Sequence, residues 1–247
     1  MAEMQNYKYD ENLNLDCNYV RNVESAYVIT LKGDQTSESM ANRCIQSCIA
    51  VGQPVKVWDA FNGRGEKIIT PDHAKNQSWT KWPKVFDHHL SQGEIACYLS
   101  HLSLWIHCIE IDRPIVILEH DAVMLHAYND FMAFNNIVYL GSAEQYKNPQ
   151  AWPLTPIPMF SSINKNYLFI GRAHAYAVDP QVCKNIVGDV LKNGIGETLD
   201  IALRSDRYGI VQQGLFAYNE DGPTTIDTRK PDVPLNSEST PEMSKYP

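Results

Sequence analysis

The stretch Arg113–Met124, RPIVILEHDAVM, constrains this chain more than any other. Its apolar run, rich in β-branched residues, stops abruptly at Glu119-His120-Asp121. Such a run without polar alternation reads as a strand buried on both faces, as in the parallel sheet of an α/β protein. In open α/β sheets, ligands bind just beyond the carboxyl ends of the strands. Residues i and i+2 leave a strand on the same side, so Glu119 and Asp121 can point into one cleft. A hard divalent cation carried by a diphosphate suits such a carboxylate pair. A solvated turn closing the strand accounts for a bare E-x-D about as well.

The flanking segments fit an α/β sheet. Ala26–Leu31, AYVITL, is a first strand, punctuated by Gly33-Asp34. A helix follows, capped by Thr36 or Ser37. Its apolar face is Ala41, Cys44, Ile45, Cys48 and Ile49, and Gly52 stands where a C-terminal cap belongs. Pro54–Ala60, PVKVWDA, is a second strand, so a parallel pair with a crossover helix is expected. Ser91-Gln92-Gly93-Glu94 matches the S-x-x-E capping box and opens a helix running to about Ile111. Further on, the pattern predicts a short helix around Tyr128–Phe134 and strands at Ile137–Leu140 and within Tyr167–Asp179. A helix opened by Pro180, a second over Gly196–Tyr208 and a strand at Gly209–Phe216 complete it. The Pro-rich stretch Glu144–Asn166 is long for a loop in a compact domain and reads as a binding loop or lid. The domain organisation read from this is an arm at 1–22, one domain at 23–218 and a flexible tail at 219–247.

Charge and cysteine usage narrow the function classes. A formal net charge of −8 argues against a broad basic face for nucleic acid. No apolar run approaches the roughly 20 residues of a membrane-spanning helix. The polar N-terminus lacks an apolar signal core. The six cysteines include no CxxC and sit in apolar segments. Buried free thiols in a reducing cytoplasm are therefore expected. Zinc has only a partial ligand set in Cys97, His101 and Cys108, short of the usual four closely paired ligands.

Several stretches together resemble glycosyltransferase family 25, the lipopolysaccharide and collagen-type sugar transferases. They are AYVITLKGDQTSESMANRC with its Arg43, WDAFNG, GEIACYLSHLSLW and ILEHDAVM; GRAHAYAVDP followed by Asp200 is a weaker fifth. The resemblance spans about residues 25–205. There are two departures: Ala96 stands where the family has glycine, and His120 replaces the middle Asp of its E-D-D. The resemblance implies an α/β fold of GT-A type, a mixed, mostly parallel sheet with helices on both faces and a Rossmann-like nucleotide-binding half. It implies a hexosyltransferase moving sugar from a UDP-sugar donor to a hydroxyl acceptor such as a glycan. Inversion and dependence on a divalent metal, Mn²⁺ or Mg²⁺, come with it. Two alternatives stay open: a degenerate nucleotide-sugar-binding protein, motivated by His120, and a transferase acting on modified DNA bases. Whether the chain forms a homo-oligomer is open as well.

Under this resemblance Asp121 is expected to contact metal and diphosphate, and Glu119 metal or ribose, with His120 between them. Thr30, Leu31 and Arg43 belong at the nucleotide end. Asp59, Ala60 and Asn62 line the base or ribose pocket, although turn formation explains them nearly as well. Glu94 is either a donor contact or simply the capping-box partner. Ser100 and His101 meet the diphosphate or sugar, or His101 is a satisfied core histidine. Asp200 is the candidate general base. His174 and Tyr176 are placed on the acceptor side, and Trp105 in the core.

Overall fold

The computed structural model describes residues 21–65, 67–75, 83–86, 90–141, 156–158, 173–204, 207–213 and 216–219. In chain order the strands are β1 (Arg21–Asn22), β2 (Ala26–Thr30), β3 (Val55–Asp59), β4 (Ile115–Glu119), β5 (Ala122–Met124), β6 (Asp130–Phe131), β7 (Asn136–Tyr139), β8 (Pro156–Pro158), β9 (Ala175–Val178), β10 (Gly209–Gln213) and β11 (Ala217–Asn219). The helices are α1 (Gln35–Ala50), α2 (Asp72–Lys75), α3 (Gln92–Ile111), α4 (Pro180–Asn193) and α5 (Leu199–Ala202). The main sheet runs β3-β2-β4-β9-β7-β10-β8. Strands β3, β2 and β4 are mutually parallel, and β9 enters antiparallel between β4 and β7. Two short antiparallel pairs, β1–β6 and β5–β11, flank it.

The unbroken apolar character of β4 follows from burial on both faces. Ile115 and Ile117 pack into one core with Tyr27, Ile29, Tyr139 and Tyr176, roofed by α3 and α4. Val116 and Leu118 pack into a second core on the other face, with Val28, Ala41, Cys44 and Cys48 of the α1 side. Period-2 alternation therefore separates two apolar environments, and no polar residue marks it.

Helix α3 begins where its capping box lies. Ser91 Oγ accepts from the Glu94 amide at 3.2 Å, and Glu94 returns the bond by accepting from the Ser91 amide at 2.8 Å. Helix α1 is capped two residues earlier than the sequence suggests. Asp34, not Thr36 or Ser37, caps it, because its carboxylate accepts from the Ser37 amide at 2.7 Å. Gly52 follows the helix with φ 75°, the left-handed conformation expected after a helix end.

Two predicted helices are corrected. Tyr128–Phe134 is extended: Asp130–Phe131 pairs with Arg21–Asn22, and the Tyr128 amide donates to Gln53 Oε1 at 2.7 Å. The i, i+3 spacing of Tyr128 and Phe131 imitated a helix, but both rings are buried by a bent chain that takes its backbone bonds from distant partners. The helix expected over Gly196–Tyr208 is confined to Leu199–Ala202, since one turn already buries Leu199 and Ala202. Beyond it, Arg204 and Arg207 both turn back to Glu197, at 3.3 and 2.6 Å. The five described cysteines are free; Cys44, Cys48, Cys108 and Cys183 are buried as expected, and Cys97 is partly exposed. The proposed loop Glu144–Asn166 lies outside the described residues except for β8. Residues 1–20 of the arm and 220–247 of the tail lie outside them entirely.

Candidate functional site

The strand order places a crevice at the carboxyl ends of the parallel strands. From β2 the chain crosses to β3 on one side and later to β4 on the other, so the strand order reverses at β2. Crevices of this kind open at such switch points. Here one opens between Leu31 after β2, Ala60 after β3, and Glu119, His120 and Asp121 at the end of β4. Its cavity volume is about 120 Å³.

Helix α3 forms the opposite wall. Gly93, Ala96, Cys97, Ser100 and His101 all line the cleft, at helical offsets of three, four, seven and eight. The loop after β3 closes one end through Phe61, Gly63 and Arg64. Gly63 permits this approach: a Cβ there would lie 2.2 Å from the Gln92 carbonyl oxygen. Ser100 ties loop and helix together, accepting from the Phe61 amide at 2.9 Å and donating to the Ala96 carbonyl at 2.8 Å.

Glu119 meets α3 directly. Its Oε1 is 3.4 Å from His101 Nε2 and accepts a long thiol contact of 3.8 Å from Cys97 Sγ. The His101 contact is near enough for attraction but off the line of a hydrogen bond, and Nε2 has no hydrogen-bond partner although the ring is fully buried. Ligand atoms of Cys97, His101 and Glu119 lie within 4.8 Å of one another. Burial alone would raise the Glu119 carboxyl, but His101, with His174 and His120 farther off, holds it below its ordinary value. Burial pushes the Cys97 thiol up, and the charges of Glu119, Asp200 and Asp121 add to that.

His120 links the cleft to the start of α1, with Nδ1 3.3 Å from Ser37 Oγ, which accepts from the Leu31 amide at 2.9 Å. Burial lowers its imidazole below the ordinary 6.5 against the pull of Glu119 and Asp34, so it is neutral at pH 7. Asp121 Oδ2 accepts from Asn219 Nδ2 at 2.7 Å, which brings β11 to the site. Arg64 supplies a guanidinium to the cleft and pairs with Asp34, the α1 cap.

The remaining candidates are distributed as follows. Thr30 and Asp59 face a separate shallow groove beside α1, Asp59 being 3.8 Å from Lys32. Arg43 lies on the exposed side of α1. Asn62 sits in a two-residue bridge with Ile69, its side chain accepting from the Arg64 amide at 3.0 Å. Glu94 is engaged in the capping box. Asp200, at the start of α5, accepts from Thr198 Oγ1 at 2.8 Å. None of these six is among the residues lining the main cleft. His174, Tyr176 and Trp105 are fully buried. Sequence reasoning missed Arg64, Cys97 as a neighbour of Glu119, and Asn219. Of these only Arg64, next to the Asn62-Gly63 turn, carried a local signal.

A mixed sheet with parallel strands that end on an acidic cleft between helices defines an α/β protein of GT-A type. The chain matches the family model described as glycosyltransferase family 25 (LPS biosynthesis protein) over residues 23–156, more than half its length. It belongs to that family, and it is a glycosyltransferase. No curated protein is similar enough to count as a match. No helix among the described residues is long and apolar enough to cross a membrane.

Proposed function

We propose that this glycosyltransferase moves a hexose from a UDP-sugar to a hydroxyl of a glycan, with inversion, as a step in lipopolysaccharide assembly in the cytoplasm. The observation that carries the reading is the meeting of Glu119 and Asp121 in one cleft with Leu31 and Ala60 at the ends of the neighbouring parallel strands. That is where a nucleotide sits in open α/β sheets.

The donor set fits a divalent cation that arrives with the diphosphate. Glu119 and Asp121 offer hard carboxylate oxygens, and Glu119 is held ionised by its histidine neighbours. Mg²⁺ and Mn²⁺ are commonly bound by one or two carboxylates plus substrate phosphates. When bound, such an ion acts as a Lewis acid on the departing phosphate oxygens. The Arg64 guanidinium contributes a permanent positive charge on the same wall, to be drawn from Asp34 onto the diphosphate. In the displacement, the acceptor oxygen bonds to the anomeric carbon as the bond from that carbon to the diphosphate oxygen breaks. The acceptor proton passes to a carboxylate, for which Asp200 is proposed.

The test is UDP release from UDP-glucose or UDP-galactose with Mn²⁺, measured for wild type and Asp121→Ala with intact folding. Release by the wild type and its loss in the variant are expected. An Asp121→Ala protein as active as wild type would overturn the assignment.

A further inference from the structure

One cluster in the cleft is not explained by a hard cation. Cys97 Sγ, His101 Nε2 and Glu119 Oε1 converge from one turn of α3 and the end of β4, with ligand atoms no more than 4.8 Å apart. The His101 ring is fully buried, yet Nε2, 3.4 Å from Glu119 Oε1, makes no aligned hydrogen bond. A buried polar atom left this way costs roughly 1–3 kcal/mol, so its retention calls for a reason.

The two separations to Glu119 Oε1 match those of a tetrahedral centre, and Cys97 Sγ lies within 4.8 Å of His101 Nε2. Zinc bonds of about 2.0–2.1 Å to nitrogen and oxygen and about 2.3 Å to sulfur place N and O ligands roughly 3.3 Å apart, and S and O ligands roughly 3.6 Å apart. The observed distances are 3.4 Å for His101 Nε2 to Glu119 Oε1 and 3.8 Å for Cys97 Sγ to the same oxygen. The outer shell is also built. His101 Nδ1 is 2.7 Å from Tyr176 Oη, which accepts from Trp105 Nε1 at 3.1 Å. A histidine that binds metal through one ring nitrogen is usually oriented in this way through the other.

We propose that Cys97, His101 and Glu119 form a binding site for a zinc-class cation on the wall of the cleft. Three corners come from the chain and the fourth is left to water or a ligand oxygen, the arrangement of zinc sites that keep an open position. The site shares Glu119 with the carboxylate pair proposed above, but its thiolate and imidazole select zinc over Mg²⁺ or Mn²⁺. On binding, the sulfur–metal bond replaces the S–H bond and the proton leaves to buffer.

The test titrates tag-free, metal-stripped full-length protein with Co²⁺ and with Zn²⁺. The wild type is expected to bind one equivalent of Co²⁺ with a near-ultraviolet thiolate-to-cobalt band, displaced by Zn²⁺. Cys97→Ser, its fold checked by circular dichroism, should lose the band and at least tenfold in affinity, whereas Cys48→Ser should keep both. In the wild type alone, Zn²⁺ should slow alkylation of Cys97, mapped by mass spectrometry. No thiolate band, a band that survives in Cys97→Ser, or unchanged alkylation would each overturn the proposal. Asp121→Ala should keep the cobalt band while losing UDP release, so this site and the transfer reaction can fail separately.

Discussion

The phenol of Tyr176 stands 2.7 Å from Nδ1 of His101, with the two rings stacked at 10° and centroids 5.7 Å apart. This contact joins β9 to α3 and leaves Nε2 as the ring nitrogen that faces the cleft. Burial keeps the phenol protonated, raising it well above its ordinary value.

Tyr176→Phe removes one oxygen but leaves the Trp105 N–H and His101 Nδ1 buried without their shared partner. A loss of about 1–3 kcal/mol of stability is expected, read as a lower urea midpoint with unchanged slope.

Arg64→Ala tests the guanidinium in the cleft. If it neutralises the diphosphate, donor KM should rise roughly tenfold, while thermal stability stays near wild type because the side chain is 42% exposed. Steady-state kinetics with varied UDP-sugar would show this; an unchanged KM removes Arg64 from the site.

Ser91→Ala removes the Oγ that accepts from the Glu94 amide at the start of α3 and leaves the return bond from the residue-91 amide. A cost of about 0.5–2 kcal/mol is expected. The helix carries one wall of the cleft, so amide exchange should also quicken over its first turn.

Acid should destabilise the protein in two stages. Burial holds His73, His107 and His120 below their ordinary 6.5 in the folded state. As pH falls through 6.5 the unfolded chain takes up protons first, so this stability is full above 6.5 and declines toward the folded values. Glu119, held below 4.5, contributes stability that is present above 4.5 and lost as pH falls through its folded value. The urea midpoint should therefore be lower at about pH 5.5 than at about pH 7.5. His107→Gln should shrink that difference.

Much of this architecture is legible in the residues themselves. The apolar run before Glu119 predicts a strand covered on both faces, and β4 divides two cores. The S-x-x-E signal at Ser91 marks the start of α3, because a cap is a contact over three residues. The acidic residues at a strand end also read directly, but strand alternation is not the reason: 120–121 form a turn, and His120 lines the same cleft as Glu119 and Asp121. Tertiary structure alone decided what meets that pair. Along α3, Cys108 shares a face with Cys97 but lies three turns away, about 16 Å along the axis, and its thiol turns to the Arg113 carbonyl at 3.2 Å. Glu119 takes the third place beside Cys97 and His101, because the packing of β4 under α3 brings it there. Asn219 reaches Asp121 across 98 residues, and Tyr128–Phe131 is extended where spacing suggested a helix. Periodicity records which side of an element is buried, but partners drawn from distant segments depend on how the elements pack, and no local pattern encodes that.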